Sequence, residues 1–362
     1  MTMTENVIKA NRLPAITWNW LKMNDVSVDV GGLKGEGSIE LQVPQGLDIS
    51  QVTPEEKAVL DKAETGMGKA VADFFGESLD AGFSVAVGKD VKSKEPVRLN
   101  IKYADDKSAV RGYIAARENS ELFIINDMTG NKALSGGQAL ETRLLLKEGA
   151  KVKLVEVYDA GEDAEIVSNI GAELSDGAEL SLIQIFLGGK KVSAGALAAL
   201  SGEKSAFYSD TAYQVPAGSS YDFNYVARHY GKDTYADMNA NGVLNENSYK
   251  QMRQTIDFLK GCAGATGKER ENVMLMNEKL INKTIPLILC QEEDVVGEHG
   301  ASIGKLSEEI LYYLKARGLS EDQIYELVAG GKLMSVVSKI NDEETEKKLS
   351  ARILGSAAGE EE

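Results

Sequence analysis

Cysteine and histidine are scarce in this chain of 362 residues, with two of each: Cys262, Cys290, His229 and His299. Two cysteines cannot build a disulfide framework. Neither Cys-x-x-Cys nor His-x-x-x-His spacing occurs, so a conventional zinc site is set aside and both thiols are expected to be reduced. Glycine is plentiful, at 36 residues, yet the chain has neither Gly-x-x-x-x-Gly-Lys-Ser/Thr nor Gly-x-Gly-x-x-Gly, which excludes a P-loop and a dinucleotide fingerprint. Basic residues are outnumbered 40 to 56, giving a formal charge of −16 with no dense basic run. Such a surface repels phosphate backbones and anionic lipid. No apolar run approaches the roughly 20 residues of a membrane helix. Glu5, Asn6, Lys9, Asn11 and Arg12 interrupt the start, leaving no apolar core of signal-peptide length. The expectation is a cytoplasmic protein that engages neither nucleic acid nor membrane.

Proline is the next scarcity. From about Ser93 to Ile256 it appears only as Pro96 and Pro216, while glycine recurs and polar and apolar residues alternate, the pattern of a long all-β region. Within it, Gly149-Ala150-Lys151-Val152-Lys153-Leu154-Val155-Glu156-Val157 is echoed 28 positions later by Gly177-Ala178-Glu179-Leu180-Ser181-Leu182-Ile183-Gln184-Ile185. Both copies break the two-residue period at one point, Leu154-Val155 and Leu182-Ile183, as a strand turning a corner would. The echo fits stacked coils of a parallel β-helix and, equally, two similar antiparallel strands of a sandwich.

The flanks read as helical. Trp18 and Trp20 are expected to anchor an N-terminal arm. Thr53 caps a helix from Pro54, with Glu56 completing a capping box, and a short helix is expected over Gly68 to Phe75. Near the other end, Ser307 caps a helix with Glu308 and Glu309 in its first turn and Ile310, Leu311 and Leu314 as its apolar stripe, ended by Gly318. Ser320 and Gln323 form a second capping box, with Ile324, Leu327 and Val328 expected buried and Gly330-Gly331 as the stop. A third helix is expected from Asp342 to Leu354, followed by a frayed tail.

Chemistry-bearing motifs are few. Gly300-Ala301-Ser302-Ile303-Gly304 matches the nucleophile-elbow string, but an elbow needs a sharp turn directly between strand and helix, and the stretch reads as a loop. The acidic run Cys290 to Ala301, read as the same loop, offers imidazole and carboxylates for a transition metal such as iron; it equally reads as a solvated loop with a structural His299. Cys290 ends an apolar strand and is expected to be a buried, inert thiol. His229 is expected to hydrogen-bond within a turn.

The run Asp294 to Leu306 (Asp-Val-Val-Gly-Glu-His-Gly-Ala-Ser-Ile-Gly-Lys-Leu), followed by Glu308-Glu309 and Leu311 to Leu319, closely resembles the C-terminal signature of the SufB/SufD family, scaffold subunits of the Suf iron–sulfur cluster assembly machinery. The arm from Leu13-Pro14 to Leu21, the Arg228-His229 turn followed by Thr234, the strand Ile256-Asp257-Phe258 and the step Asn282 to Pro286 agree with it. The resemblance implies a mainly β fold: a right-handed parallel β-helix with an N-terminal helical region and a small C-terminal helical domain, partitioned as 1–92, 93–290 and 291–362. His299-Gly300-Ala301 looks like the SufD form. Gly297 offers no thiol beside His299, so this chain is not expected to be the principal sulfur acceptor. By likeness, His299, with Glu298 as a helper, would serve a transient iron–sulfur cluster at a subunit interface, while Tyr312, Tyr313, Leu314, Arg317 and Gly318 would contact a SufC-like ABC-type ATPase. The implied second scaffold is a SufB-like subunit or another copy of this chain. The chain would be non-catalytic and would bind no cofactor alone, leaving ATP hydrolysis to the partner and any reduced flavin to the complex. A β-helix polysaccharide-active enzyme is the rival reading, disfavoured by the helical C-terminal signature.

Overall fold

The computed structural model describes residues 7–14, 21–35, 37–78, 82–104 and 106–355. Trp18, Trp20 and the expected tail after 355 lie outside the described residues. Four short strands come first: β1 Val7–Ala10, β2 Val26–Asp29, β3 Gly37–Gln42 and β4 Ile49–Ser50. The chain then winds as a β-solenoid of about eight turns, each giving one strand to each of two sheets. One sheet takes β5 Phe83–Val87, β7 Lys107–Ala116, β9 Gly136–Leu146, β11 Ala164–Leu174, β13 Lys191–Leu200, β15 Ser220–His229, β17 Tyr249–Phe258 and β19 Ile281–Cys290. The other takes β6 Val97–Tyr103, β8 Glu121–Asp127, β10 Lys151–Ala160, β12 Glu179–Gly188, β14 Ala206–Val215, β16 Tyr235–Leu244, β18 Thr266–Leu275 and β20 Val296–Gly304.

The echo is resolved in favour of stacked coils, since β10 and β12 are parallel neighbours with Lys151 opposite Glu179 and Val157 opposite Ile185. What repeats is the turn. Asn119, Gly149, Gly177, Lys204, Asp233 and Gly264 all have φ between +54° and +80° and occupy one corner, coil upon coil. Their N–H groups donate to the next coil: Gly149 to Asp176 O at 2.8 Å, Gly177 to Glu203 O at 2.8 Å, Gly264 to Asp294 O at 2.7 Å. The following positions, Ser120, Ala150, Ala178, Ser205, Thr234 and Ala265, are small and buried.

The phase break has a different cause from the one expected. β10 runs through Leu154-Val155 without a corner. Leu154 faces the solenoid interior, beside the stacked rings of Tyr158 and Phe186 (centroids 4.9 Å apart), whereas Val155 faces out and is covered by the C-terminal helices. The next inward position is polar: Glu156 accepts bonds from Thr142, Tyr158, Ser168 and Gln184 at 2.9–3.1 Å, and burial raises its pKa. Two buried faces, one with a polar inward row, produce the sequence pattern of a bend.

Helix α1 (Pro54–Leu60) begins with the expected capping box, and α2 (Lys69–Ser78) follows. With β1 and β2 they lie against the outer face of the sheet that contains β9 and β11. There Gly66 approaches so closely that a Cβ would lie 2.0 Å from Ala196 N. α3 (Glu308–Lys315), α4 (Glu321–Val337) and α5 (Glu343–Leu354) follow the solenoid, with α4 and α5 on the outer face of the other sheet. Leu333, Val336 and Val337 bury against Val155, Ile183, Ala212 and Val243. Arg98–Asp342 (2.7 Å), Lys348–Asp127 (2.7 Å) and Arg352–Asp159 (3.1 Å) pin the same surface. Gly330-Gly331 does not stop α4. A Cβ on Gly330 would lie 2.7 Å from Leu354 Cδ2, so the glycine admits α5, and packing overrides its low helix propensity. Ile324 is buried as expected; Leu327 is exposed, because only one face of α4 meets the sheet.

The corner ladder sets a stability test. Gly177 has room for a side chain, but its φ of +61° is unfavourable for a β-branched residue. Gly177→Val is expected to lower unfolding free energy by at least ~1–2 kcal/mol, and Gly177→Asn by less, as measured by urea titration.

Candidate functional site

The solenoid ends differently at its two edges. At the first coil, β3 pairs antiparallel with β6 and β4 with β5, covering both outer strands. At the last coil, β19 and β20 have, among the described residues, a neighbour on one side only. Their outer edges present unpaired N–H and C=O groups, and Ile281, Val296 and Ile303 stand exposed there. Natural sheets usually blunt such edges; this one is left ready to pair.

His299 lies within β20, which corrects the loop expected from Cys290 through Gly304. The same strand runs straight through Ser302, so the sharp strand-to-helix turn of an elbow is missing. The β region accordingly extends past Ile256 to Gly304.

Register decides which way these side chains face. Glu269 is opposite His299 and Glu271 opposite Ala301. Both glutamates are buried in the interior. Side chains paired on adjacent strands share a face, so His299 faces the interior side of the last coil, at its open mouth, between Gly297 and Ala301. A Cβ on Gly297 would point at Ile288 and Phe258, consistent with that side. Glu298 faces the other way, 3.4 Å from Lys268 on the outer surface. The structure therefore sets His299 over Glu269 and turns Glu298 away from both.

Glu271 is fully engaged: Lys250 donates to it, as do Tyr213 and Thr284, both at 2.6 Å. Burial lowers the Lys250 pKa, opposed by that carboxylate. Glu269 is different. No side chain donates to either of its carboxyl oxygens among the described residues. Burial pushes its pKa up to about 9, with only the Leu287 amide opposing. Sequence reading missed Glu269. The available signal was its place one coil before His299 on the inward phase of Gly267-Lys268-Glu269-Arg270-Glu271.

Cys290 is exposed, not buried as expected, because it ends a strand with no neighbour beyond it; its Sγ donates to Glu292 O at 2.9 Å. Cys262 is the buried cysteine, and burial pushes its thiol up to about 11. Cys290 and His299 sit on different sheets, and no group of three or more His, Cys, Asp or Glu that could hold a metal is assembled among the described residues.

α3 stands beside this end. Ser307 caps it, accepting from Ile310 N at 3.3 Å, and Gly318, at φ +93°, follows its last turn. No residue of α3 is buried: Ile310, Tyr312 (79 % exposed) and Tyr313 (56 %) all face solvent, and Leu314 is half-buried. Arg317 lies over the Tyr313 ring, 3.6 Å from its centroid, and donates to Tyr313 O at 3.3 Å. An eight-residue helix is marginal alone, and it leaves an aromatic and cationic surface uncovered.

A parallel β-solenoid with one covered and one bare end is the class these features define. The chain belongs to the SufBD family: the family described as SUF system FeS cluster assembly, SufBD core domain, matches residues 100–332. It is 22% identical, over 89% of its length and 84% of the relative's, to an iron–sulfur cluster assembly SufBD family protein of Mycobacterium leprae. It is 27% identical to the iron–sulfur cluster assembly protein SufD of Bacillus subtilis, over 39% of this chain and 33% of that one. A SufBD family protein of Methanothermobacter thermautotrophicus matches at 25% identity over 67% of this chain and 60% of its own length. This is a member of a family involved in iron–sulfur cluster assembly. No helix among the described residues is long and apolar enough to cross a membrane.

His229 has the structural setting expected. It is fully buried, with Nδ1 2.8 Å from Thr234 Oγ1 and its ring 4.8 Å from that of Phe258. Thr234 gives its proton to Gly231 O, so Nδ1 is the donor and Nε2 has no partner among the described residues. Burial lowers the imidazole pKa from 6.5 to about 3. The folded state thus keeps His229 neutral while the unfolded chain takes up a proton below about pH 6.5. Its contribution is present above that pH and lost as pH falls toward 3. Relative to His229→Gln, the native chain should lose up to ~4 kcal/mol across that window, read from urea midpoints at a series of pH values.

Proposed function

We propose that this chain is a non-catalytic scaffold subunit for iron–sulfur cluster assembly. It pairs through the bare end of its solenoid with a second scaffold chain and takes up a SufC-like ABC-type ATPase on α3 and the start of α4. The observation that carries this reading is the uncovered last coil beside a helix that buries none of its own residues. Edge strands add affinity by extending a sheet. Tyr312, Tyr313 and Arg317 are the residue types that anchor interfaces, with Leu314 and Gly318 completing the surface. His299, at the mouth of the last coil, would place an imidazole where iron and sulfur are brought together as cargo, and ATP hydrolysis in the partner would move the scaffold chains.

The second scaffold is a SufB-like chain in this reading. The 27% match to a protein named SufD supports it, as does the His299-Gly300-Ala301 form. The rival is a homodimer of this chain with the ATPase, and native mass of the co-purified complex separates the two.

Arg317→Glu and Tyr312→Ala are expected to reduce ATPase retention in a pull-down at least tenfold without shifting the thermal melt of the isolated chain. Full retention would reject the docking assignment. His299→Ala should lower cluster yield in the reconstituted complex while the complex still assembles, and an unchanged yield would reject its role.

A further inference from the structure

We infer that β3, at the first coil, takes up an extended segment of another polypeptide in which apolar and basic side chains alternate. This end of the solenoid is opposite the one given to the second scaffold chain, and its occupancy does not depend on that pairing.

β3 covers the first coil but has an outer edge of its own. It pairs with β6 on one side, and among the described residues no strand pairs with the other. Its companion at this end, β4, is two residues long, the kind of short strand that blunts an edge. β3 runs for six residues without proline or lysine, and Pro44 comes only after it has ended. Its free N–H and C=O groups are the template on which an incoming strand gains affinity.

Register divides the side chains of β3 into two rows. Ile39 and Leu41 are opposite Ile101 and Leu99, which are buried in the solenoid core, so both face the interior side. Ile39 packs against that core, whereas Leu41 is 43 % exposed and Val43, just past the strand, is 38 % exposed. A strand added here sets every second side chain beside this row, where burial of apolar groups is favourable.

Ser38, Glu40 and Gln42 form the other row. Gln42 is opposite Arg98, and both line a cleft of about 620 Å³ between this edge and the start of α5. Glu40, Glu95, Asp342, Glu343 and Glu344 gather on this side against Arg98 and Lys347. Arg98 is already held by Asp342 at 2.7 Å and Glu344 at 3.1 Å, which leaves Glu40, Glu95 and Glu343 against Lys347 alone. Such a surface attracts cations and rejects an acidic segment. Neither row alone chooses an occupant. Together, at a two-residue period, they select a strand with apolar side chains on the interior side and lysine or arginine on the other.

The test uses the purified full chain and a fluorescein-labelled eight-residue peptide alternating lysine and valine, read by fluorescence anisotropy. Three control peptides accompany it: a scramble of the same composition without alternation, a version with glutamate for lysine, and one methylated on alternate backbone nitrogens. The native chain should bind the alternating peptide saturably and each control at least tenfold more weakly. Leu41→Lys and Glu40→Lys, both at exposed positions, should each weaken binding at least tenfold, with circular dichroism melts confirming that they fold. Equal binding of the scramble or the methylated peptide means charge attraction without strand addition and overturns the proposal. Equal binding of the glutamate peptide overturns it too, as does no saturable binding by the native chain or unchanged binding by both variants. If the native chain is instead a dimer that Leu41→Lys converts to a monomer, the edge belongs to a second copy and the basic segment is rejected.

Discussion

The hydrogen-bonded corner that recurs from Asn119 to Gly264 is the constraint on which the rest of this structure depends. Each corner residue adopts left-handed backbone and donates its N–H to the coil above. This fixes successive coils in vertical register, so a residue's fate depends on its position within the coil and hardly on its distance along the chain. Inward positions stack as columns, including the Tyr158–Phe186 ring pair and the Glu156–Gln184 hydrogen bond. Outward positions form flat faces that need covering.

The chain covers those faces with its own flanks. The N-terminal strands and α2 take one sheet, and α4 and α5 take the other. The ends are treated unequally, with β3 and β4 over the first coil and, among the described residues, no strand over the last. That asymmetry gives a family of assembly components a physical meaning here. The open coil holds exposed apolar side chains, an inward imidazole and, within one strand spacing, a buried carboxyl that no side chain among the described residues donates to. Meanwhile α3 stands clear of the core with its tyrosines in solvent. Were the last coil covered as the first is, these groups would be sealed or paired.

Several elements were legible in the sequence because their determinants are local. Thr53 with Glu56 and Ser320 with Gln323 specified capping boxes that formed as read, and Asp342 caps the last helix. The Gly149/Gly177 echo fixed a repeat length. Misreadings came where one pattern serves two environments. Leu154-Val155 looked like a bend because the strand is buried on both faces, with Glu156 inward. Gly330-Gly331 looked like a stop because the approach of α5 is invisible in the local string. The stretch around His299 looked like a loop because glycines and charges on a last strand need not alternate with apolar residues when nothing packs beyond it.

The sequence by itself determined the coil: corner glycines, inward phase, helix caps and the His299 segment that marks the family, all set by backbone preference and short-range spacing. Only the tertiary structure decided what lies next to what. It put Glu269 under His299, turned Glu298 away and exposed Cys290. The physical reason is that neighbours in a solenoid are one coil apart, and their pairing is set by the register of the whole stack.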